Sequence, residues 1–447
     1  MTYIVLSFDV EDYVNPHAAD GILRCAELLR RHGVRGAFNV VGYLATALEA
    51  WGRQDVIDAL RYHEIETHSL AHSMHPTINE YTDLEDFDEA LSEFLRRETE
   101  ARDILYRVFG VRHLPAGCPP GNSVSYVAHY GYAEMGIPFY AGDALVDPVR
   151  GRPLFYCNML TEDYHTYMER FLFQWSHEEI LAHLDRIAET NEVYVIAHHP
   201  QLGYIAEFCD ERNFKGENTP PEQYRLSPLR PAEEIEHFYQ QMEFLVTALL
   251  NDPRFRIVTY EELNDIYDLP RAPICRETVA AVAPQLRQHL FPVTLPDSYC
   301  LCDLALGCRD LLLGQKEHIC GKVFGFLDTP YSISEAVTLT REEVRLGADE
   351  FRDGDFLPLR VRCGEKVIGP ADWLRAALSV LEGADEVTLQ PGDWQIDMDQ
   401  FSDIKNMSLK NTWVHSSEFE DRFISHRLRL QSWTIRLPKG GPRLILE

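Results

Sequence analysis

The sequence predicts an α/β fold in which short apolar strands alternate with amphipathic helices over residues 1–270. Residues 3–8 (Tyr-Ile-Val-Leu-Ser-Phe) and 193–197 (Val-Tyr-Val-Ile-Ala) are apolar runs of strand length, rich in β-branched and aromatic side chains. Residues 20–32 place apolar side chains on one helical face, and Gly33 follows as a stop signal. Repeated strand–helix units imply a parallel sheet, either open or closed into a barrel.

The other elements of this region follow the same alternation. Thr82 and Glu85 have the spacing of a capping box, which predicts a long helix that reaches about Val108. Further strands are predicted at 36–42, 64–67 and 256–260, the last followed by a helix. The polar, proline-rich stretch 205–231 is predicted to be a long loop.

A chain of 447 residues exceeds what one ordinary core supports, so we expect two domains. A break at 269–273 (Leu-Pro-Arg-Ala-Pro) separates a first domain, 1–270, from a second, 275–447. The second domain has a strand-like segment at 356–363 and helical segments near 340–348 and 370–382. We therefore predict a C-terminal α+β domain of unknown type and function.

Composition excludes several classes of partner. The 42 Lys and Arg residues against 71 Asp and Glu residues give a net charge of −29, which repels nucleic-acid phosphates. No apolar run approaches the roughly 18 residues of a membrane span, so we expect no transmembrane segment. The N-terminus enters the first strand at once, which points to a cytoplasmic protein with mostly reduced cysteines.

Carboxylates and histidines suitable for a divalent metal follow the predicted strands. Asp9, Glu11 and Asp12 come at the end of the first strand, and His68 and His72 stand four positions apart after another. Acids with a histidine pair are what a metal with an open coordination position needs. In an extended segment Asp9 and Glu11 point to the same side, which favours Glu11 as the metal-binding acid, with Asp12 the alternative.

The third histidine motif, His198-His199-Pro200, follows the strand at 193–197. A histidine there could move protons near neutral pH, while the other belongs to the core or a loop. Asp9, His68 and His199 each end a predicted strand, and in βα architectures that edge is where active sites assemble. We therefore expect one shared site.

Two further motifs allow either a functional or an ordinary structural interpretation. Residues 113–121 form a rigid loop whose backbone N–H groups could approach a ligand, although an ordinary turn fits equally. A cysteine-rich stretch could bind structural zinc, but buried free thiols fit its spacing better. That stretch comprises Cys300, Cys302, Cys308, His318 and Cys320.

Together these motifs resemble the polysaccharide deacetylase family (NodB homology, carbohydrate esterase family 4) over roughly residues 1–270. Ser7-Phe8-Asp9-Val10-Glu11-Asp12 is similar to a variant first motif, and His68-Ser69-Leu70-Ala71-His72 matches the zinc motif H-[S/T]-x-x-H. The 113–117 stretch resembles R-x-P-x-G with His113 in place of arginine, and His199-Pro200-Gln201 resembles the last motif.

The resemblance implies a distorted (β/α)7 barrel that binds a divalent metal, with Zn²⁺ the expected ion, through His68, His72 and one acid. It implies that Asp9 is the catalytic base, that His199 is the general acid, and that His113 would orient Asp9 in place of the usual arginine. The implied activity is hydrolysis of an N-acetyl group on an amino sugar or glycan. The alternatives are hydrolysis of another non-peptide amide, or a catalytically inactive sugar-binding or scaffold protein.

Overall fold

The computed structural model describes residues 1–122, 125–142, 152–396, 401 and 415–439. Its main feature is a ten-stranded sheet, of which nine strands form one row and β10 lies beside β1. The strands of this sheet are β1 (Thr2–Val10), β2 (Ala37–Val40), β3 (Glu64–Thr67), β4 (Ala116–Gly117), β5 (Phe139–Ala141), β6 (Leu154–Tyr156), β7 (Met159–Glu162), β8 (Thr166–Tyr167), β9 (Val193–His198) and β10 (Phe255–Ile257).

The row runs β6-β7-β5-β4-β3-β2-β1-β9-β8, and every pairing except the β6–β7 hairpin is parallel. The sheet curls into a half-barrel, which confirms the predicted α/β class and the barrel-like architecture. Because the strands are parallel, their carboxyl ends meet at one edge, as the sequence predicted.

Helices cover the outside of the curled sheet. Within residues 1–270 they are α1 (Ala18–Arg31), α2 (Gly42–Ala50), α3 (Gln54–Leu60), α4 (Ile78–Thr82), α5 (Phe87–Phe109), α6 (Tyr126–Glu134), α7 (Met168–Phe171), α8 (His177–Thr190), α9 (Cys209–Asn213), α10 (Ala232–Asn251) and α11 (Tyr260–Tyr267).

Alternation along β1 separates two apolar clusters. Ile4, Leu6 and Phe8 belong to the large cluster shared with the helices, whereas Val5 belongs to a smaller cluster inside the sheet. Because side chains alternate along a strand, Asp9 lies on the same side as Val5, toward the interior of the half-barrel.

The region after residue 275 combines helices with two small antiparallel sheets. Its helices are α12 (Arg276–Leu286), α13 (Leu301–Leu312), α14 (Arg341–Gly347), α15 (Pro370–Leu381) and α16 (Ile424–Leu430). Strand β11 (Val337–Thr340) pairs with β14 (Glu386–Leu389), and β12 (Val361–Cys363) pairs with β13 (Lys366–Ile368). This composition agrees with the predicted α+β region.

The predicted boundary near 270 does not coincide with a break in the apolar core. Buried side chains from both regions, such as Phe38 and Trp373, belong to one continuous cluster. The segment 415–439 returns to the barrel, where Phe155 and Arg436 form a backbone bridge. The division into two domains therefore stays a prediction.

The predicted start of the long helix was wrong, whereas its end near Val108 was confirmed. The long helix begins at Phe87 rather than at Thr82, because the Asp86 side chain accepts the backbone N–H of Glu89 and provides the N-cap. Residues 68–72 form an irregular loop, in which Ser69 and His72 adopt positive φ angles of 65° and 53°.

Candidate active site

A cavity of about 310 Å³ opens at the carboxyl edge of the parallel strands. It is lined by the acids Asp9 and Glu11, by the histidines His68, His72 and His199, and by an aromatic wall that includes Tyr167. Strand β1 and the loops after β3 and β9 supply the acids and histidines. The structure thus brings together the residues that the sequence placed at three separate strand ends.

Glu11, His68 and His72 form a tight cluster at the bottom of this cavity. The Oε2 atom of Glu11 lies 2.8 Å from Nε2 of His72 and 3.4 Å from Nε2 of His68. All three side chains are at most 3% exposed. The left-handed conformation at Ser69 and His72 takes the place of a helix in directing both imidazoles toward Glu11.

Hydrogen bonds on the far side of each ligand candidate fix its orientation. His68 donates from Nδ1 to the carbonyl of Cys118 over 2.6 Å, and His72 donates from Nδ1 to Oδ1 of Asp210 over 2.9 Å. Gln201 donates to Oε1 of Glu11 over 2.7 Å. Because Nδ1 carries the proton in each histidine, the Nε2 lone pairs point at the cluster and can bind a metal.

This donor set fits a divalent metal ion. Ligand atoms of a tetrahedral zinc site lie roughly 3.3 Å apart, given Zn–N and Zn–O bonds of about 2.0–2.2 Å, and the Glu11–His68 separation of 3.4 Å is close to that spacing. Burial alone would lower the pKa of His72, but Asp210 and Glu11 outweigh it and raise that pKa to about 10. The carboxylates of Glu11 and Asp210 therefore favour positive charge at the cluster, and a bound cation would supply that charge in place of the proton on Nε2 of His72.

Asp9, His68 and Cys118 form a second group of potential ligands within the described residues. Burial raises the pKa of the Cys118 thiol to about 11, so the thiol stays protonated at neutral pH. A thiol is a poor ligand compared with a thiolate. The cluster of Glu11, His68 and His72 is thus the better candidate metal centre.

Asp12 has a different role in this structure. Its Oδ1 atom accepts the backbone N–H groups of Val14 and Asn15, each over 2.9 Å. These bonds turn the chain after β1, as aspartate commonly does. Asp12 is absent from both groups of potential ligands found among the described residues, so this placement departs from the expectation that it is an alternative metal-binding acid.

Asp9 is held by two neutral donors. Its Oδ1 atom accepts Nδ2 of Asn39 over 2.8 Å and the hydroxyl of Tyr164 over 2.9 Å. Its Oδ2 atom lies 3.7 Å from Nε2 of His199. One carboxylate oxygen is therefore anchored, while the other faces the cavity and the histidine.

His199 is placed by Glu169 and by an aromatic stack. Its Nδ1 donates to Oε1 of Glu169 over 2.6 Å, and its ring stacks on Tyr167 with centroids 5.2 Å apart. Burial would lower the pKa of His199, but Glu11, Glu169 and Asp9 raise it to about 10. The imidazole thus carries a proton that it can donate from Nε2, into the cavity.

The neighbouring His198 is the core histidine of the pair. It is fully buried, stacks on Phe238 and donates from Nδ1 to Oε2 of Glu169 over 2.7 Å. It does not line the cavity.

The placement of His113 corrects the expected role of that residue. Its side chain is 66% exposed, and its Nε2 lies 3.0 Å from Oε1 of Glu261, outside the cavity. Asn39 and Tyr164 contact Asp9 instead. The reason is that residues 113–115 precede β4, whereas the cavity lies at the carboxyl ends of the strands.

The 115–121 loop contributes less backbone than expected. Pro119 and Pro120 have no N–H group, and Cys118 donates its N–H to the carbonyl of Thr67 over 2.8 Å. Gly121 lines the cavity and adopts a φ of 63°, which suits glycine. It is the residue of this loop that retains an N–H at the cavity wall.

Sequence reasoning missed the residues that support the site: Asn39, Tyr164, Glu169 and Asp210. Asn39 gave one usable signal, since a lone amide within the apolar strand β2 needs a buried partner. Glu169 and Asp210 lie in short helices, α7 and α9, within segments that carry no motif. Only the tertiary fold shows their partners.

The cysteine-rich stretch holds no metal cluster in the part of the chain that the structure describes. Cys300 caps α13, and Nδ1 of His318 donates to Asp310 over 2.7 Å. All ten cysteines are free thiols, and within this stretch Cys300, Cys302 and Cys308 are buried whereas Cys320 is partly exposed. Among the described helices, none is long and apolar enough to cross a bilayer.

No family model matches the sequence, and no curated protein matches it. Solved structures that match this chain include a putative polysaccharide deacetylase from Mycobacterium smegmatis, at 16% identity and a TM-score of 0.38, over 59% of this chain and 89% of that one. A family 4 acetyl xylan esterase from Clostridium thermocellum, in complex with a cobalt ion, matches at 13% identity and a TM-score of 0.33, over 60% of this chain and 93% of that one. A carbohydrate esterase family 4 pseudoenzyme from Bacillus anthracis matches at 12% identity and a TM-score of 0.33, over 59% of this chain and 65% of that one.

Proposed function

We propose that this chain is a metal-dependent hydrolase that removes an N-acetyl group from an amino sugar or glycan. The observation that carries the proposal is the arrangement of one cavity. A carboxylate, Asp9, and an imidazole, His199, face each other beside the cluster of Glu11, His68 and His72. Amide hydrolysis by activated water needs these three parts together: a metal site, a base and an acid.

The metal would be held by Oε2 of Glu11 and by the Nε2 atoms of His68 and His72. When bound there, Zn²⁺ or a similar ion polarises a carbonyl and lowers the pKa of water from 15.7 toward about 7. Three protein ligands leave coordination positions open, as in catalytic zinc sites. The preference for Zn²⁺ follows from the two imidazoles and one carboxylate.

Asp9 is proposed as the base that takes a proton from the attacking water. Its Oδ1 atom is fixed by Asn39 and Tyr164, so Oδ2 can accept the proton without the side chain rotating away. These two donors are neutral, whereas the related motif uses an arginine in that role. The absence of that arginine therefore does not leave Asp9 without support.

His199 is proposed as the acid that protonates the departing amine. An amide nitrogen leaves poorly without a proton, so the reaction needs a donor at this position. Glu169 holds Nδ1 of His199 and stabilises the protonated imidazole. Tyr167 stacks on the ring and keeps Nε2 directed toward Asp9.

The size of the cavity supports a small reacting group. At about 310 Å³ it lies near the lower end of the roughly 300–1,000 Å³ typical of ligand pockets. Tyr167 and Phe208 line it and offer flat apolar surfaces on which a sugar ring can lie. We expect one acetylated sugar unit to enter, with the remainder of a longer glycan outside.

The test is release of acetate by the purified, zinc-loaded chain. Substrates are N-acetylglucosamine oligomers and a nucleotide-linked N-acetylamino sugar, with linear and cyclic amides as the comparison set. Variants D9N and H199Q should each lower kcat by about 10²–10⁴-fold with zinc content unchanged. H113Q is the matched control, because His113 belongs to the motif region but lies at the surface.

The outcomes separate the alternatives. If the chain hydrolyses a linear or cyclic amide but releases no acetate from any acetylated sugar, the deacetylase proposal is wrong and the chain is a hydrolase of another amide. Zinc and sugar binding without turnover of any substrate would support an inactive binding protein. Full activity of H199Q would refute the assignment of the acid.

A further inference from the structure

A second cavity, of about 250 Å³, lies where the segment after residue 415 meets the barrel. Phe155 of β6 and Asp268 line it from the barrel, and Arg436 lines it from the returning segment. Arg271 and Lys322 line it from the intervening region. It shares no lining residue with the catalytic cavity, so its role goes beyond the proposed function.

Arg436 is the central feature of this cavity. Its side chain is buried, at 9% exposure, and its guanidinium stacks over the ring of Phe155, 3.4 Å from the ring centroid. The Nη2 atom lies 3.4 Å from Oδ1 of Asp268. The Nη1 atom is buried and has no hydrogen-bond partner among the residues that the structure describes. A buried N–H without a partner is costly, and native proteins rarely leave one without a purpose.

Positive charge is concentrated around this unpaired donor. Arg271 donates from Nη1 to Oδ2 of Asp303. The Nζ atom of Lys322 lies 3.0 Å from Oε1 of Glu134. Three cationic side chains thus line the cavity together with the carboxylates of Asp268 and Asp303, while Glu134, the partner of Lys322, lies outside the lining.

The two arginines also affect each other. Burial, together with the nearby charge of Arg271, lowers the pKa of Arg436 to about 10. Repulsion between buried guanidinium groups is relieved when an anion lies between them. The planar guanidinium fork, held in place by Phe155, matches the oxygens of a carboxylate or phosphate.

We propose that this cavity binds a small oxyanion, the carboxylate or phosphate group of a metabolite, through the guanidinium of Arg436 with help from Arg271 and Lys322. The bound anion would tie the returning segment 415–439 to the region around Arg271. It would thereby stabilise the contact between the C-terminal region and the barrel. Ligand binding to the native state raises its stability by mass action.

The experiment is calorimetric titration of the full-length chain with inorganic phosphate and, separately, with acetate at constant ionic strength. Saturable binding of at least one anion is expected. Arg436→Lys keeps the charge but loses the fork, and should weaken binding at least tenfold. Lys322→Ala should weaken anion binding roughly fourfold, because one unit charge attracts another at about 5 Å in water by that factor.

Lys366→Ala is the matched control. Lys322 and Lys366 are both half-exposed and both contact a glutamate, but Lys366 lies outside the cavity. An anion can also bind at the metal site, so the proposal depends on the difference between these variants. Should Arg436→Lys fail to fold, Lys322→Ala still decides, because its side chain is 55% exposed.

The proposal is overturned if neither anion binds. It is also overturned if the dissociation constant of a bound anion is the same in wild type, Arg436→Lys and Lys322→Ala. The carboxyl oxygen Oδ1 of Asp303 is buried and lacks a partner among the described residues, so divalent cations are titrated in parallel. Binding of a cation in place of an anion would likewise refute the assignment.

Discussion

Replacing Asp210 by asparagine tests how the candidate metal centre is built. Asp210 is almost fully buried, and its Oδ1 accepts Nδ1 of His72 over 2.9 Å. Ser73 also donates to this carboxylate. An asparagine side chain would keep the volume and the acceptor oxygen, so the change removes mainly the negative charge behind the imidazole. The Nε2 atom of His72 then becomes a weaker ligand.

The expected magnitude follows from the position of Asp210. Loss of a carboxylate that orients a metal-binding histidine lowers metal affinity by about 10- to 100-fold, or roughly 1.4–2.7 kcal/mol. Burial places the effect near the upper end, because no solvent screens the Asp210–His72 contact. Folding should be retained, since no atom is removed from the core.

The assay is a competition titration for Zn²⁺ against a chromophoric chelator, with the wild type and D210N at the same pH. Glu207→Gln is the matched control, since Glu207 precedes the same helix but its side chain is 51% exposed and contacts Arg212. Equal zinc dissociation constants for wild type and a correctly folded D210N would refute the reasoning. Weakened binding in both variants would show a general charge effect instead.

Three further predictions follow from other contacts. Glu169→Gln removes a charge that raises the pKa of His199, so that pKa falls and the alkaline limb of the kcat–pH profile moves to lower pH; an unchanged profile would contradict this. Burial raises the pKa of Glu98 to about 7 from 4.5, so the folded state retains a proton that the unfolded chain loses, and stability falls as pH rises between these values. Glu98→Gln should therefore increase the free energy of unfolding at pH 8 by up to about 3 kcal/mol in denaturant titrations, and by little at pH 4. Gly21→Ala would place a Cβ atom 2.2 Å from the carbonyl oxygen of Pro200, so it should destabilise the fold by about 1–3 kcal/mol and lower kcat by displacing His199.

Strand ends were the most predictable part of this protein. Asp9, His68 and His199 each follow an apolar run, and parallel strands bring their carboxyl ends to one edge for any sequence with repeated strand–helix units. The choice between Glu11 and Asp12 followed from the two-residue period of a strand, and Glu11 lies in the cluster. Local periodicity thus predicted both the strand–helix architecture and the candidate metal ligands.

Supporting contacts were beyond the reach of sequence reasoning for a physical reason. Glu169 is 30 positions from His199, and Asp210 is 138 positions from His72, so neither contact has a local pattern. The same limit explains His113, which the family resemblance placed beside Asp9 and the fold places beside Glu261. The local sequence pattern predicts which helix or strand a residue belongs to, whereas its contact partner depends on how distant helices and strands pack.

The distance in sequence between His72 and Asp210 also has a consequence for biosynthesis. A nascent chain exposes the paired imidazoles long before α9 has left the ribosome. Until then, the carboxylate of Asp210 cannot orient His72, and the proposed cation would be held loosely. Tight binding of the proposed cation would therefore have to wait until the segment that contains Asp210 has folded against His72, and a chain truncated before that segment would bind it weakly.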